Sequence, residues 1–464
     1  MECVDRARGA WPRYALLPLC ERAHVLRRMR REVLRRGDEI AQLVTQETGK
    51  PELEAFAHEV LVVAALLRYY ERLMPRLLRP RRTDPGLLLH KRAYVTYEPL
   101  GVAAVISPWN YPFSLVGIPA VCALSAGNAI VVKPSEVTPR SGALFVEIAR
   151  NALRAAGCEE AAQVLQGGGE AGAALVDAPP DIIAFVGSER TGTRIATAAA
   201  AHLTPCILEL GANDAAIVCA DADLERAARG VVWGAFSNCG QACVSIERAF
   251  VERTVYARFC ELVVKETRAL RRAIPPTRES DIGRMTFPPQ VPIARRALAD
   301  AVERGARVLC GGGGEGLALE PTVLADVPLD AVLHVSETFG PLLPLCPVES
   351  AEEGVALANR GPYGLNATVW TRDRRRARRL ARLLESGSIT VDDALVNLSV
   401  SSLPYGGVKH SGYGRLMGEE GLRAFTRTKS ILEPRLRLPR EPVWFPYAKR
   451  GPLVRGLLRR LLSR

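Results

Sequence analysis

The sequence predicts an α/β fold built on a parallel, doubly wound sheet, followed by a second α/β domain. Three observations carry this expectation. Between residues 100 and 210, runs of strand length alternate with helix-length stretches. Those runs are almost continuously apolar, as strands covered by helices on both faces must be. The chain has 464 residues, more than one ordinary hydrophobic core serves, so two or three domains are expected.

Taken in order, residues 20–72 read as helix. Leu26, Met29, Val33, Leu34, Ile40, Leu43 and Val44 recur near the helical period, and arginines fill the other face. Gly49 marks a stop with Pro51 just beyond, and a second helix follows over about 51–75. LLLHKRAYVTYE (87–98) is branched and aromatic between Pro85-Gly86 and Pro99, which reads as strand. Then GVAAVISP (101–108), AIVVKPS (129–135), AAQVLQ (161–166), DIIAFVG (181–187) and PCILEL (205–210) alternate with helices over 113–126, 139–156, 170–177 and 190–201. A second alternating stretch runs from about 214 to 400, through IVCA, AFVE, ARVLC and ITVDD. The tail after 433 is rich in Pro and Arg and then helical.

Composition excludes several function classes. Hydrophobic residues make up 48% and charged residues 24%, the balance of a globular protein. The formal charge of +12 raises nucleic acid as a partner. The basic residues, however, fall in scattered runs with no finger spacing and no interleaved aromatics, so solvated helix faces are the better reading and no nucleic acid is expected. The opening MECVDRARGAWPRY has no apolar leader core, so a cytoplasmic protein with reduced thiols is expected. No apolar run reaches the roughly 18 residues that span a bilayer.

G-x-G-x-x-G occurs twice. Gly167, Gly169 and Gly172 follow a strand and open a helix, as a dinucleotide-binding turn requires. Gly311, Gly313 and Gly316 are followed by LALEPTVL, which is no helix, and this match is set aside. FVGSERTG offers a third turn, with Ser188 placed to cap the following helix and its amides free for phosphate. Spacing alone does not choose between the first and third turns. In FSNCGQACVSIER (236–248), Cys239 and Cys243 sit four apart. Zinc is disfavoured because no histidine is near, and a disulfide by compartment. Core filler and a reactive thiol remain, and Gly240-Gln241-Ala242 favours the latter as a place where backbone approaches a bound atom.

Phe236-x-Asn238-x-Gly240-Gln241-x-Cys243 resembles the nucleophile signature of the aldehyde dehydrogenase superfamily, and LELGAN (208–213) resembles its glutamate signature. SPWNYPF (107–113), KPSE (133–136), FVGS (185–188), DIGRM (281–285), ETFGPLLPL (337–345), PYGLNATVW (362–370) and PYGGVKHSGYGR (404–415) extend the likeness over about residues 10–433. The resemblance implies an aldehyde dehydrogenase fold. It divides the chain into a Rossmann-like NAD-binding domain (1–80 and 99–210), a catalytic domain (211–410), an oligomerisation flap (81–98 and 428–438) and a basic tail (439–464).

It also implies the chemistry. Cys243 is similar to the nucleophile that attacks an aldehyde, giving a thiohemiacetal and then a thioester. Asn110 resembles the oxyanion donor and Glu209 the base for the hydrolytic water. Lys133 and Glu136 resemble adenosine-ribose contacts, and the carboxylate favours NAD, with NADP as the alternative. Gly187 and Ser188 match the pyrophosphate turn, Glu337 the nicotinamide-ribose ligand, Phe339 its packing partner, and Trp109 a residue of the cofactor channel. No metal is implied. Cys239 matches a variable position. Where the family has Gly-Gly after Glu-Leu, this chain has Gly211-Ala212, which implies a narrower site.

The implied substrate is an aldehyde, either medium- or long-chain or a semialdehyde, and the implied assembly is a homodimer or homotetramer. Two rival readings are a CoA-acylating enzyme, against which Glu209 argues, and a catalytically silent NAD-binding scaffold, against which Cys243, Glu209 and Asn110 argue. In 451–464, Leu453, Val454, Leu457, Leu458, Leu461 and Leu462 lie mostly opposite Arg455, Arg459 and Arg460. Two expectations fit that pattern: a helix docked on its own domain, or peripheral contact with an anionic membrane.

Overall fold

The computed structural model describes residues 2–441, 443–445, 447 and 451–463. Two large sheets organise it. In the first, the strands run in the order Gly412–Tyr413, Cys206–Glu209, Ile182–Val186, Val102–Ile106, Ala129–Lys133, Ala162–Val164. All neighbours are parallel except the short strand 412–413. Every residue of 102–106, 129–133 and 182–186 is buried, which is why these runs carry no polar alternation. The chain builds outward on one side of Val102–Ile106 and then crosses to the other side, so the order reverses between Ile106 and Val186. A crevice at the carboxyl ends of strands at such a reversal is where open α/β sheets take their ligands.

The second sheet has seven strands, ordered Arg307–Cys310, Thr322–Ala325, Leu342–Val348, Ile246–Glu252, Asp214–Val218, Asn366–Trp370, Ser388–Val391. Only Arg307–Cys310 is antiparallel. A third, three-stranded sheet joins Arg81–Thr83, Lys91–Pro99 and Thr426–Pro434 in antiparallel register. The expected α/β alternation is therefore present, and the strands fall within a few residues of their expected places.

The helical start differs from expectation. The helix read over 20–72 is broken at Arg36 into Leu19–Arg35 and Gly37–Thr48, and a further helix, Glu2–Ala15, precedes it. Apolar periodicity passes through a one-residue kink unchanged, so it hid the break. Pro12 lies inside the first helix and masked it in turn. From Glu52 to Leu77 the chain is helical with one wider, π-type segment at Phe56–Leu61. Gly311–Gly316 forms loop and hairpin, as expected for the discarded match. The tail contains a helix, Gly451–Leu462, where Leu453 and Leu462 are exposed; the side chains of Val454, Leu457 and Leu461 lie outside the described residues. Among the described residues no helix is long and apolar enough to cross a membrane.

Candidate active site

The carboxyl ends of four parallel strands deliver most of the singled-out residues to one crevice. Ile106 leads into Ser107–Tyr111 and so to Asn110; Lys133 ends its own strand; Val186 leads to Gly187 and Ser188; Glu209 ends the fourth strand. The Gly187 amide donates to the Glu209 carbonyl (3.0 Å), so the helix-opening turn and the acid are tied directly. A Cβ on Gly187 would lie 2.5 Å from the tip of the Phe185 ring, so the turn passes close over that side chain. Ser188 caps the helix Glu189–Ala200 by accepting from the Thr191 amide.

Lys133 is buried, and its Nζ donates to the Pro134 carbonyl (3.1 Å) and to Glu136 (3.2 Å), which is exposed. Gly172 of the other glycine turn faces the Lys133 stem, its Cβ position 3.6 Å from Cδ. This turn thus lies against the end of the Lys133 strand, and sequence spacing had no means of ranking the two turns. The Trp109 ring meets Phe339 edge-on (centroids 5.5 Å apart) and also contacts Phe287. Phe339 is held at φ 49°, with the amides of Thr338 and Phe339 both donating to the buried Glu247 carboxylate. Glu337 accepts from the Ala212 amide (3.0 Å), and burial together with the neighbouring Glu247 charge pushes its pKa above the ordinary carboxylate range. Ala212 is buried, so the methyl that replaces the family's second glycine packs inside rather than facing solvent.

The turn carrying the two cysteines is strained. Asn238, Cys239 and Gly240 all have positive φ (49°, 57° and 72°), which side-chain-bearing residues adopt only when the surroundings hold them. A Cβ on Gly240 would run into the Gly340 carbonyl. Gln241 pins the turn, donating to the Asn238 carbonyl (2.7 Å) and accepting from the Thr286 amide (2.8 Å). Asn238 donates in turn to the Asn110 carbonyl (3.0 Å). The result separates the pair. Cys239 is buried in an apolar core cluster. Cys243 is half-buried and faces a cleft, its Sγ 3.3 Å from the Tyr405 hydroxyl. Burial pushes the Cys243 thiol up to about 12, with the Tyr405 hydrogen bond opposing.

Asn110 is buried, and its Nδ2 donates to the Gln241 carbonyl (3.0 Å), two residues before Cys243. Glu209 is buried with neither carboxylate oxygen hydrogen-bonded to the described residues. Burial raises its pKa well above the ordinary range, opposed by the Arg415 charge and by the Gly407 amide, which is near but outside hydrogen-bonding geometry. Glu209 reaches the same loop as Tyr405: its Oε1 lies 2.8 Å from the Cβ position of Gly406, next in the chain to the tyrosine whose hydroxyl meets Cys243. A cleft-facing thiol with a buried, unpartnered acid close by is an arrangement that reactive centres use.

Sequence reading missed three contributors. Tyr405 lies in PYGGVKHSGYGR, where nothing in the string reveals a hydroxyl aimed at sulfur. Lys50, just past the Gly49 stop, is fully buried; its Nζ donates to Glu59 (3.0 Å) and to the Asn110 carbonyl (2.6 Å). His58 lines the cleft beside Cys243. That cleft is walled by Val62, Leu115, Ile118, Ala242, Val244, Leu395 and Leu398, with His58, Tyr111, Ser114 and Ser399 as its other polar members.

The model of the aldehyde dehydrogenase family matches residues 1–431. The chain belongs to that family. Among its relatives, a Methylomonas protein named 4,4'-diapolycopene aldehyde oxidase is 40% identical, covering 97% of this chain and 84% of that protein. A Mycobacterium bovis protein provisionally named succinate-semialdehyde dehydrogenase [NADP(+)] 2 is 36% identical, covering 93% and 83%. Of solved structures, an NAD-dependent aldehyde dehydrogenase from Sinorhizobium meliloti superimposes with a TM-score of 0.90 at 30% identity, covering 96% of this chain and 88% of that one. An NADP-dependent enzyme of E. coli gives 0.89 at 33%, covering 93% and 89%. This aldehyde dehydrogenase therefore has the fold its motifs implied, and its activity is NAD(P)-dependent oxidation of an aldehyde.

Proposed function

We propose that this aldehyde dehydrogenase converts its aldehyde to the carboxylate through a thioester on Cys243, with Asn110 and Glu209 in the roles of oxyanion donor and base. The observation that carries the proposal is the shared position of a cleft-facing thiol and a buried carboxylate without partners. The Cys243 sulfur attacks the aldehyde carbon, and the carbonyl oxygen takes the charge. Swung from the Gln241 carbonyl, the Asn110 amide meets that oxygen; preorganised donors of this kind contribute about 3–4 kcal/mol each. NAD(P), when bound, is the two-electron oxidant. Glu209 then deprotonates the water that cleaves the thioester, so the sulfur leaves as thiolate and the acid is released.

The residues present fit the dinucleotide. The Gly187–Ser188 turn opens a helix of twelve residues whose free amides suit phosphate. Lys133 and Glu136 border the same crevice, where a carboxylate suits ribose hydroxyls and favours NAD. Glu337, Phe339 and Trp109 would hold the nicotinamide end. Absorbance at 340 nm with an aldehyde panel and NAD or NADP tests the assignment. Cys243→Ala is expected to lower kcat by about 10⁴-fold or more, the scale for loss of a nucleophile; an active Cys243→Ala would end the proposal.

The flap strands suggest the assembly. Thr426–Pro434 forms an edge of the three-stranded sheet, mostly exposed, and an edge of this length is a template for pairing. We infer a homodimer or homotetramer joined there; a monomer by light scattering at assay concentration would refute it. The tail supplies a second reading, peripheral membrane contact. Trp444, Phe445 and Tyr447 are exposed beside the basic helix, the residue types that anchor at a bilayer interface. Deleting 440–464 is expected to reduce co-sedimentation with anionic liposomes, and unchanged partitioning would count against it.

A further inference from the structure

We infer that the cleft beside Cys243 selects uncharged aldehydes with an extended apolar tail and rejects semialdehydes that carry a carboxylate. This rests on aldehyde oxidation at Cys243 and adds the substrate class.

The walls of the cleft decide the matter. Val62, Leu115, Ile118, Leu395 and Leu398 come from three separate segments and converge on one apolar surface. Among the described residues no lysine or arginine lines it. A carboxylate brought into such a site loses its water and gains no counter-charge, which is strongly unfavourable.

The polar members do not supply the missing cation. His58 packs against Tyr111 and Trp233, and burial and the Lys50 charge push its pKa down to about 4, so it is neutral near pH 7. Lys50 itself lies behind the wall, 3.6 Å from the centre of the Tyr111 ring, and has no exposed side-chain surface. Its ammonium is committed to Glu59 and to the Asn110 carbonyl. The buried carboxyl of Glu54 lies among the same groups, and when ionised it opposes an entering anion. Ser399 stands at the exposed rim and is uncharged.

An apolar tail meets the opposite balance, since each buried methylene is favoured by a factor of about four.

The test is a kcat/KM series on the full-length protein at saturating NAD(P): propanal, pentanal, hexanal, octanal and decanal against succinic semialdehyde. The expected result is a rise of about fourfold per methylene until the cleft is filled. Succinic semialdehyde is expected to fall at least about 100-fold below pentanal, the cost of an uncompensated buried charge. Ser399→Arg, which adds a cation at the exposed rim, is expected to raise the ratio of succinic semialdehyde to pentanal by about tenfold or more. Succinic semialdehyde used as well as pentanal by the unmodified protein would overturn the inference. So would a flat series, or a ratio that Ser399→Arg leaves unmoved. Turnover of propanal in those cases leaves aldehyde oxidation standing; turnover of no aldehyde at all overturns both readings together.

Discussion

Glu59 and Glu209 are both buried carboxylates, one in the helical layer behind the Asn110 loop and one at the end of a sheet strand, and the fold treats them oppositely. Glu59 accepts from Lys50 Nζ (3.0 Å), the Phe113 amide (3.0 Å) and the Ser114 amide (2.8 Å). Glu209 accepts from nothing among the described residues. A buried carboxylate without partners is costly, so a strand that ends on one is keeping it for something other than stability. Glu59 does the reverse work. It joins a buried cation to the first amides of the helix Ser114–Ala126, and the same cation grips the Asn110 carbonyl. One acid builds the loop that presents the oxyanion donor; the other is left open to react.

Breaking the open side has the largest expected effect. Glu209→Gln removes the base and keeps the shape, so kcat is expected to fall by about 10²–10⁴-fold, measured as steady-state NAD(P)H formation. Folding stability should not fall with it. The folded pKa of Glu209 is raised, so the folded state holds its proton longer than the unfolded chain does. Its contribution to stability is complete below the ordinary carboxylate pKa and is lost as pH rises through the raised value. The base form appears over that same rise. Activity and thermal stability should therefore move in opposite directions with pH, and Glu209→Gln should flatten both trends. A melting temperature that drops in Glu209→Gln at neutral pH would place Glu209 with Glu59, as scaffold.

The closed side answers in stability first. Lys50→Met leaves Glu59 charged and without its ammonium, and Glu59→Gln leaves Lys50 likewise. Each is expected to cost about 3–5 kcal/mol, read from the urea midpoint at unchanged m. The double replacement Lys50→Met with Glu59→Leu should cost less than the sum, because no lone charge remains. Equal loss in the single and double variants would mean that the pair acts through shape alone.

This contrast also explains what could be read in the sequence. Glu209 was legible because an acid at the end of PCILEL is out of place in an apolar strand, and Cys243 because small residues crowd before it. The strands of the first sheet were legible for the same reason: burial on both faces forces unbroken apolar runs. Lys50 and Glu59 were not. Lys50 sits in the short turn between two helices and Glu59 on the helical run after it, where a charge looks like any solvated one, and only tertiary packing shows that these two lie inside. The break at Arg36 escaped because a kink that keeps the apolar face in line leaves the period intact. His58 and Leu398 belong to segments 340 residues apart, and nothing local to either announces a shared wall.

The finest distinction concerns the support given to the open side. The Tyr405 hydroxyl, 3.3 Å from Cys243 Sγ, is a polar partner that the thiol has while Glu209 has none. Burial drives the thiol upward and this hydrogen bond pulls it back, since a hydroxyl donor favours the thiolate. Tyr405→Phe removes the donor and keeps the ring that packs there. A neutral hydrogen bond is worth about 0.5–1.5 kcal/mol, so kcat/KM should fall by about two- to tenfold, far less than for Glu209→Gln. A second readout separates chemistry from packing: the rate of iodoacetamide inactivation of Cys243 against pH. If Tyr405 stabilises the thiolate, the inactivation profile of Tyr405→Phe shifts to higher pH. A profile that stays in place, or shifts lower, would leave Cys243 as unsupported as Glu209, and the open side of the comparison would then have no hydrogen-bonded member at all.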